Sequence, residues 1–236
     1  MGREMNEYEL RPCVRPGYFS TVARCDDLRC DYDSKNQTVI QKQTPVDIIF
    51  IGDSITQMWE LQSYFGKLGL IVLNRGIGGD HTDYLARRFY ADAIQLKPKI
   101  CVLLCGINDT WVLEDDDIRQ IKGTDIDSVI LKSKASMETI IQMAKSADMR
   151  LFICSLLPTN MKWTRKEDER KEFVKRYNCI LRDLCIENEI EFVDYYPLFV
   201  AEDGRSIRKE LTIDGIHPNV FGYDRMYSKL LEVISK

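Results

Sequence analysis

Five short, continuous apolar runs constrain the fold of this chain more than any other feature. They are rich in Val, Ile, Leu, Phe and Cys, and they span residues 47–51, 70–73, 100–105, 151–156 and 191–194. Continuous apolar runs are typical of parallel strands that are covered on both faces, whereas half-exposed strands alternate. We therefore expect an α/β protein in which a five-stranded parallel sheet lies between two layers of helices.

Helical patterns separate these runs. Three apolar stripes at helical spacing are clear, and they span residues 126–144, 173–184 and 223–234. Right-handed crossovers place the carboxyl ends of parallel strands at one edge of the sheet, where such folds bind ligands. Ser54, Gly79 and Asn108 follow the first, second and third runs, so we expect them to converge at that edge.

The size and charge of the chain limit the other possibilities. With 236 residues and 44% apolar residues, it can build one α/β domain or two small ones. We assign residues 46–236 to the α/β domain. Residues 1–45 show no sustained period, and we expect an N-terminal extension packed on the domain. A contribution of this extension to an interface or to the site is the alternative. The net charge of −4 gives no electrostatic reason to expect nucleic acid as a partner.

Targeting and metal-binding signals are weak. No stretch approaches the roughly 20 apolar residues of a membrane span, and MGREMNEYEL at the start lacks the apolar core of a signal peptide. We expect a cytoplasmic protein without stable membrane insertion. The sequence leaves open whether the protein forms a homo-oligomer. The eight cysteines include no C-x-x-C pair and the chain has two histidines, so we expect reduced thiols and no metal site.

A serine lies directly after the first apolar run, in the sequence Gly52-Asp53-Ser54, and a helical pattern begins there. A hydroxyl on such a tight turn lies close to the N–H groups of a helix start, which favour negative charge. Ser54 is therefore a candidate nucleophile. The alternative is that it caps the helix, a position that serine fills well.

A histidine near the end of the chain, His217, follows Asp214 by three positions. In a helical turn this spacing places both side chains on one face. A catalytic base needs one ring nitrogen toward the nucleophile and the other held by a carboxylate or carbonyl, and Asp214 is the natural candidate for the latter. The alternative is a surface turn, because Asp-Gly is a common turn pair and Pro218 could start a helix.

Two further blocks could stabilise an oxyanion. Gly76-x-Gly78-Gly79-Asp80 follows the second run, and it fails the dinucleotide fingerprint because His81 stands where a third glycine is needed. A glycine pair permits positive φ and can aim an N–H at a ligand, although a plain turn is an equal alternative. Asn108 offers a side-chain amide donor of the kind found in oxyanion holes, or it is an Asx-turn residue.

Taken together, the Gly-Asp-Ser, glycine, Gly-x-Asn and Asp-x-x-His blocks resemble, in this order, those of the SGNH (GDSL-type) serine esterase superfamily. The match covers roughly residues 46–236, and Ile55 stands where the GDSL name has leucine. The second block, NRGIGGD, is similar to that of bacterial acetylhydrolases and platelet-activating-factor acetylhydrolases. The resemblance implies a flavodoxin-like sheet with the strand order 2-1-3-4-5.

The resemblance also implies roles for individual residues. Ser54 would be the nucleophile, His217 the general base and Asp214 its partner. The backbone N–H groups of Ser54 and Gly79 and the side-chain amide of Asn108 would form the oxyanion hole. No metal or cofactor is needed for this chemistry.

Two residues beside these blocks are weaker candidates for substrate binding. His81 either lines the mouth of the pocket or is a solvated loop histidine, and Trp111 either forms a pocket wall or packs in the core.

The expected function is hydrolysis of a small-molecule ester through an acyl-enzyme. We expect a short acyl group, acetyl first, on a sugar or other small alcohol, because no lid-like or membrane-binding amphipathic segment is visible. The alternatives are a lysophospholipase, a platelet-activating-factor-type acetylhydrolase or a thioesterase. A non-enzymatic carbohydrate-binding or scaffold module should have lost part of the constellation, which this chain keeps in full.

Overall fold

The computed structural model describes residues 12–15 and 23–234 of the chain. Its strands are β1 (Ile48–Gly52), β2 (Val72–Gly76), β3 (Ile100–Leu104), β4 (Leu151–Cys154) and β5 (Glu191–Val193). They form one parallel sheet in the order β2-β1-β3-β4-β5. The predicted fold class and strand order are confirmed.

Eight α-helices connect and cover the strands in the described residues. They are α1 (Ala23–Gln41), α2 (Ser54–Gln57), α3 (Leu61–Phe65), α4 (Thr82–Asp92), α5 (Ile126–Ser146), α6 (Glu167–Asn188), α7 (Tyr196–Phe199) and α8 (Val220–Ile234). The three predicted helical stripes lie in α5, α6 and α8. No described helix combines the length and the apolar character that a membrane span requires.

Alternation along β1 shows how the two faces of the sheet are buried. Ile49 and Ile51 pack against side chains of α4, α5 and α6, whereas Ile48 and Phe50 face α2, α3 and α8. Successive side chains of a strand point to opposite faces, so a fully apolar strand requires both helical layers. This three-layer arrangement leaves the carboxyl ends of the strands as the open edge.

Strand β2 begins and ends later than the apolar run 70–73 that predicted it. It lies at the edge of the sheet, and Val72, Leu73 and Asn74 are only half-buried there. Polar residues can therefore continue the strand, which a search for apolar runs misses. Strand β4 is shorter than the predicted run 151–156. The Leu156 N–H donates to Asn178 Oδ1 at 2.7 Å and not to a neighbouring strand, so the chain has left the sheet at that point.

Helix α1 was not expected, because residues 1–45 show no apolar period. Its buried positions are Cys25, Asp26, Arg29, Tyr32 and Asn36, at 3%, 8%, 1%, 8% and 0% exposure. These positions repeat at helical spacing, but most of them carry polar groups, so the stripe does not read as apolar. The division into an extension 1–45 and a domain 46–236 stays a prediction, since residues 1–11 and 16–22 lie outside the described part.

A buried arginine joins helix α4 to the ends of two strands. Arg88 is fully buried and its guanidinium contacts Asp80 Oδ2 at 2.7 Å and Asp92 Oδ2 at 3.0 Å. It also donates to the carbonyls of Gly52 and Arg75, both at 3.0 Å. Burial opposes the charge, but the two carboxylates outweigh it and hold the pKa of Arg88 above its usual range.

Replacing Arg88 with methionine should therefore destabilise the fold strongly. The change leaves Asp80 buried without its cation and removes one of the two arginines that contact Asp92, the other being Arg29 at 3.1 Å. Breaking a buried pair in this way costs about 3–5 kcal/mol. Urea unfolding followed by circular dichroism measures the loss. The matched control is Arg87→Met, whose side chain is 52% exposed and contacts Asp83 at 3.7 Å, a surface pair worth less than about 1 kcal/mol. Equal losses in the two variants would contradict the prediction.

Candidate active site

Ser54 is the first residue of the short helix α2, directly beyond β1. The helix is capped by Asp53, whose Oδ1 accepts the Ile55 N–H at 2.9 Å. The alternative in which Ser54 is the cap is therefore wrong. Its hydroxyl instead lies 2.8 Å from His217 Nε2, a contact that joins residues 163 positions apart.

Asp214 orients the imidazole of His217 through a turn that precedes α8. Asp214 Oδ2 lies 2.7 Å from His217 Nδ1, and its Oδ1 accepts the N–H groups of Ile216 and His217 at 3.1 and 2.9 Å. The segment is a bend around Gly215, whose φ is 93°, and not the helical turn that the spacing suggested. Both aspartate oxygens are therefore used to hold one histidine.

The ionisation of Asp214 fixes the roles of the two ring nitrogens. Partial burial raises the pKa of this carboxyl, but the hydrogen bonds from the backbone and ring of His217 and from Ile216 outweigh burial, and the net pKa is lowered. An ionised carboxylate only accepts, so Nδ1 carries the proton. The lone pair of the neutral ring then lies on Nε2, toward the Ser54 hydroxyl, as a general base requires.

The glycine loop, residues 76–79, lies against the nucleophile. A Cβ placed on Gly78 would lie 3.7 Å from Ser54 Cβ. The N–H groups of Gly76 and Gly78 are occupied by Asn74 Oδ1 and Gln57 Oε1, at 2.9 and 2.7 Å. Among the described residues, no hydrogen bond engages the N–H of Gly79, which adopts φ 84°. This N–H is therefore available to a ligand.

The amide of Asn108 is held in one orientation. Its Nδ2 donates to the Asp80 carbonyl at 3.1 Å, and its Oδ1 accepts the Trp111 Nε1–H at 3.1 Å. A carbonyl can only accept and an indole N–H can only donate, so the amide cannot be flipped. Asp80 uses one of the two Nδ2 hydrogens, which leaves the second for a substrate oxygen.

Three buried aspartates directly adjoin the candidate residues along the chain: Asp53 beside Ser54, Asp80 beside Gly79 and Asp109 beside Asn108. Burial raises the pKa of Asp53 to about 7. It also raises the pKa of Asp80 to about 6, although Arg88 opposes this rise. Burial raises the pKa of Asp109 as well, against hydrogen bonds from Ser133 and Thr82. Each shift is toward the neutral carboxyl, although Asp80 keeps its ion pair with Arg88 at 2.7 Å.

His81 is neither a freely solvated histidine nor part of the Ser54–His217 contact. Its side chain is 17% exposed and its Nδ1 lies 3.7 Å from Asp109 Oδ1, while its ring packs on Tyr84 at 5.0 Å between centroids. Burial lowers the pKa of His81, although Asp109 opposes this effect. In the described part of the chain, no hydrogen bond joins His81 to Ser54 or His217, and a role in substrate binding stays a prediction.

Trp111 contacts the site in a way that sequence reasoning missed. It is 38% exposed, so it is not a core residue, and the buried Arg170 lies 5.1 Å from its ring centroid. Asn108 and Trp111 lie on the same 3₁₀ helix, Ile107–Leu113, where side chains three apart eclipse each other. The spacing Asn-x-x-Trp permits this contact, but the contact can be predicted only when the segment is known to be a 3₁₀ helix.

Asn108→Ala should lower kcat by about 10²–10³, with little change in KM. Removing one oxyanion donor has this effect because the amide binds charge that develops only in the transition state. Steady-state kinetics on p-nitrophenyl acetate measure both constants. A rise in KM at unchanged kcat would make Asn108 a substrate contact instead.

Known proteins resemble this chain in both sequence and fold. The model of the GDSL-like lipase/acylhydrolase family matches residues 50–225, well over half of the chain. An acetylxylan esterase from Geobacillus stearothermophilus is 24% identical over 206 residues, covering 75% of this chain and 88% of the relative.

Solved structures share the same fold. A GDSL-like lipase from Bacteroides thetaiotaomicron VPI-5482 is 25% identical, with a TM-score of 0.72, and the match covers 87% of this chain and 96% of the other. The acetyl xylan esterase AlAXEase is 24% identical with a TM-score of 0.64, and the match covers 80% and 100% of the two chains. That likeness speaks for the fold alone. On the span of the family match, this chain belongs to the GDSL-like lipase/acylhydrolase family and is an esterase of that family.

Proposed function

We propose that this esterase removes a short acyl group, acetyl first, from a sugar or another small alcohol. Ser54 is the proposed nucleophile, His217 the general base and Asp214 the residue that orients it. The contact of Ser54 Oγ with His217 Nε2 at 2.8 Å, with Asp214 at 2.7 Å from the other ring nitrogen, supports the chemistry.

In the acylation step, Ser54 Oγ attacks the ester carbonyl while His217 Nε2 takes the hydroxyl proton. The oxyanion lies between the N–H groups of Ser54 and Gly79 and the amide of Asn108. Collapse of the tetrahedral intermediate breaks the bond to the alcohol oxygen, which receives the proton from His217. The products are the free alcohol and an acyl group on Ser54.

In the deacylation step, water takes the place of the alcohol. His217 removes a proton from the water as it attacks the acyl carbonyl, and the same donors hold the second oxyanion. Collapse releases the carboxylic acid, and His217 returns the proton to Ser54 Oγ. His217 therefore mediates every proton transfer in this cycle, and water is the second reactant.

The observation that carries the sugar part of the proposal is an exposed aromatic pair beside Asn108. Trp111 and Trp163 are 38% and 65% exposed, with ring centroids 5.8 Å apart. Exposed rings next to a reactive site mark a ligand surface. The negative face of an indole suits the C–H face of a sugar ring, whose hydroxyls stay in water.

The loop that carries Trp163 is also connected to the turn of His217, the residue that protonates the leaving alcohol in this proposal. The Asn160 N–H donates to the Gly215 carbonyl at 2.8 Å, which ties the loop of Trp163 to the turn that carries His217. A ring on this side would contact the alcohol portion of the ester. The curated relative described as an acetylxylan esterase supports a carbohydrate in this position.

Trp163→Ala should raise KM for a monoacetylated xyloside by up to about tenfold, since one aromatic contact contributes about 0.5–1.5 kcal/mol. Hydrolysis of ethyl acetate, whose alcohol has no ring to stack, should change little. Trp163→Phe is the matched control, because it retains an aromatic face and should keep most of the xyloside affinity. Equal losses on both substrates would overturn the sugar assignment.

A second candidate, hydrolysis of a long-chain lipid ester, is favoured by exposed apolar side chains beside the His217 turn. Ile213, Val220 and Phe221 are 65%, 59% and 63% exposed. Rates on p-nitrophenyl esters of increasing chain length separate the two. We expect a steep fall beyond butyrate, whereas a rise toward long chains would select the lipid substrate.

A further inference from the structure

We propose that helix α1 fixes the orientation of the Gly78–Gly79 peptide, so that the Gly79 N–H faces the nucleophile. Cys25 and Tyr32 are the positioning residues in this proposal. The helix lies before residues 50–225, which the family model matches. The inference rests on the oxyanion role proposed above for Gly79 and assigns a function to a segment that none of the four sequence blocks includes.

The contact between Cys25 and the glycine loop is the starting point. Cys25 Sγ lies 3.5 Å from the Gly78 carbonyl oxygen, and the side chain is 3% exposed. A Cβ on Gly79 would lie 3.6 Å from the same sulfur. The Gly78 carbonyl therefore points toward α1 and into a partly buried contact.

Peptide geometry converts this contact into a statement about the oxyanion donor. The carbonyl of Gly78 and the N–H of Gly79 belong to one planar trans peptide, so they point in opposite directions. Holding the oxygen toward α1 consequently holds the N–H away from α1. Ser54 adjoins the same peptide, because a Cβ on Gly78 would lie 3.7 Å from Ser54 Cβ, and in this proposal it lies on the side to which the N–H points.

A peptide flanked by two glycines needs such a restraint. Glycine adopts positive and negative φ with similar ease, and Gly79 has φ 84°. Rotation of this one peptide would present the carbonyl to the substrate in place of the N–H and remove a donor. The loop sequence by itself does not decide between the two orientations.

Tyr32 anchors the beginning of the same loop. Its hydroxyl donates to the Gly76 carbonyl at 2.6 Å, and the Arg75 guanidinium lies 4.9 Å from its ring centroid. Burial raises the pKa of the Tyr32 phenol, so it remains a donor near neutral pH. Ile77, between the two anchored carbonyls, is 1% exposed and packs in a small cluster with Cys25 and Tyr32.

The test compares variants that differ in their contact with the loop. Cys25→Ala removes the sulfur and Tyr32→Phe removes one hydroxyl, and each should lower kcat by about tenfold, with KM within about twofold, through partial loss of one oxyanion donor. Cys25→Ser keeps a side chain that can donate to the Gly78 carbonyl, and it should retain most of the activity. Rates are expressed per active site, titrated with a serine-directed phosphonate.

The control for simple destabilisation lies on the same helix. Val39 packs against the main core and does not belong to the cluster of Cys25, Tyr32 and Ile77, so Val39→Ala should lower the melting temperature without lowering kcat per titrated site. A boronic acid, which forms a tetrahedral anion on the serine, gives an independent readout. Its inhibition constant should weaken in parallel with kcat/KM in Cys25→Ala and Tyr32→Phe, and stay unchanged in Val39→Ala.

The outcomes separate this inference from the proposed function. If the phosphonate labels Ser54 stoichiometrically while Cys25→Ala and Tyr32→Phe keep the wild-type kcat and boronate affinity, the inference about α1 fails alone. It also fails if Val39→Ala loses kcat to the same extent, because the role of α1 is then general support of the fold. If Ser54 is not labelled, the proposed function itself fails.

Discussion

Ser54→Ala should reduce esterase activity by about 10⁶-fold while leaving the fold intact. The covalent route disappears with the hydroxyl, and loss of a triad nucleophile has an effect of this size in other serine hydrolases. Activity on p-nitrophenyl acetate and the melting temperature measure the two parts of the result. The structure gives the physical reason, since Ser54 Oγ is the atom that His217 Nε2 contacts at 2.8 Å.

Covalent labelling gives the sharper control for this prediction. A serine-directed organophosphonate should add one equivalent to the wild-type protein and none to Ser54→Ala, as mass spectrometry will show. Peptide mapping should place the adduct on Ser54. Labelling of another serine, or wild-type activity in the variant, would refute the assignment of the nucleophile.

His217→Ala should lower kcat by a similar factor, because Ser54 then has no group to accept its proton. Asp214→Asn should fall between this variant and the wild type, at a loss of about 10⁴, since it removes the group that orients the ring but leaves the base. Added imidazole should restore part of the rate to His217→Ala and none to Ser54→Ala. Rates per mole of folded protein measure all three.

The pH dependence distinguishes the base from the other histidine. A protonated imidazole cannot accept the serine proton, so kcat/KM should fall toward acid pH in the wild type. Asp214 stays ionised through the neutral range because its pKa is lowered, and it does not contribute this limb. His81→Ala should keep the acid limb. An inactive His81→Ala beside an active His217→Ala would defeat this assignment of the C-terminal turn.

The sheet could be predicted because its buried positions are occupied by apolar residues, so the sequence pattern indicates which positions are buried. Strand β1 is apolar at every position that meets a helical layer, and α5 repeats its buried residues at helical spacing. Helix α1 gives no such signal. Its buried residues include Arg29 and Asn36, and Asn36 is satisfied by Asp92 and the Ala91 carbonyl, 55 or more positions away.

The candidate site divides in the same way. The pairing of Asp214 with His217 is local, so the spacing along the chain already indicated it. The convergence of Ser54, Gly79 and Asn108 was expected from strand order, because parallel strands bring their carboxyl ends to one edge. The contact of His217 with Ser54 was implied only by the resemblance to the SGNH esterases. The contact of Trp111 with Asn108 depends on a 3₁₀ helix, and a helix of that type has no apolar period to read.

The sequence by itself determined the layered α/β architecture and the order of the four motif blocks. The architecture follows from the spacing of apolar residues, and the blocks follow from residue type. Only the tertiary structure decided which way individual groups point. The Gly78–Gly79 peptide is the clearest case, because two glycines permit either orientation and the neighbour that selects one, Cys25, lies 53 positions earlier. Burial then completes the selection, since a carbonyl held against a buried side chain cannot turn without losing that contact.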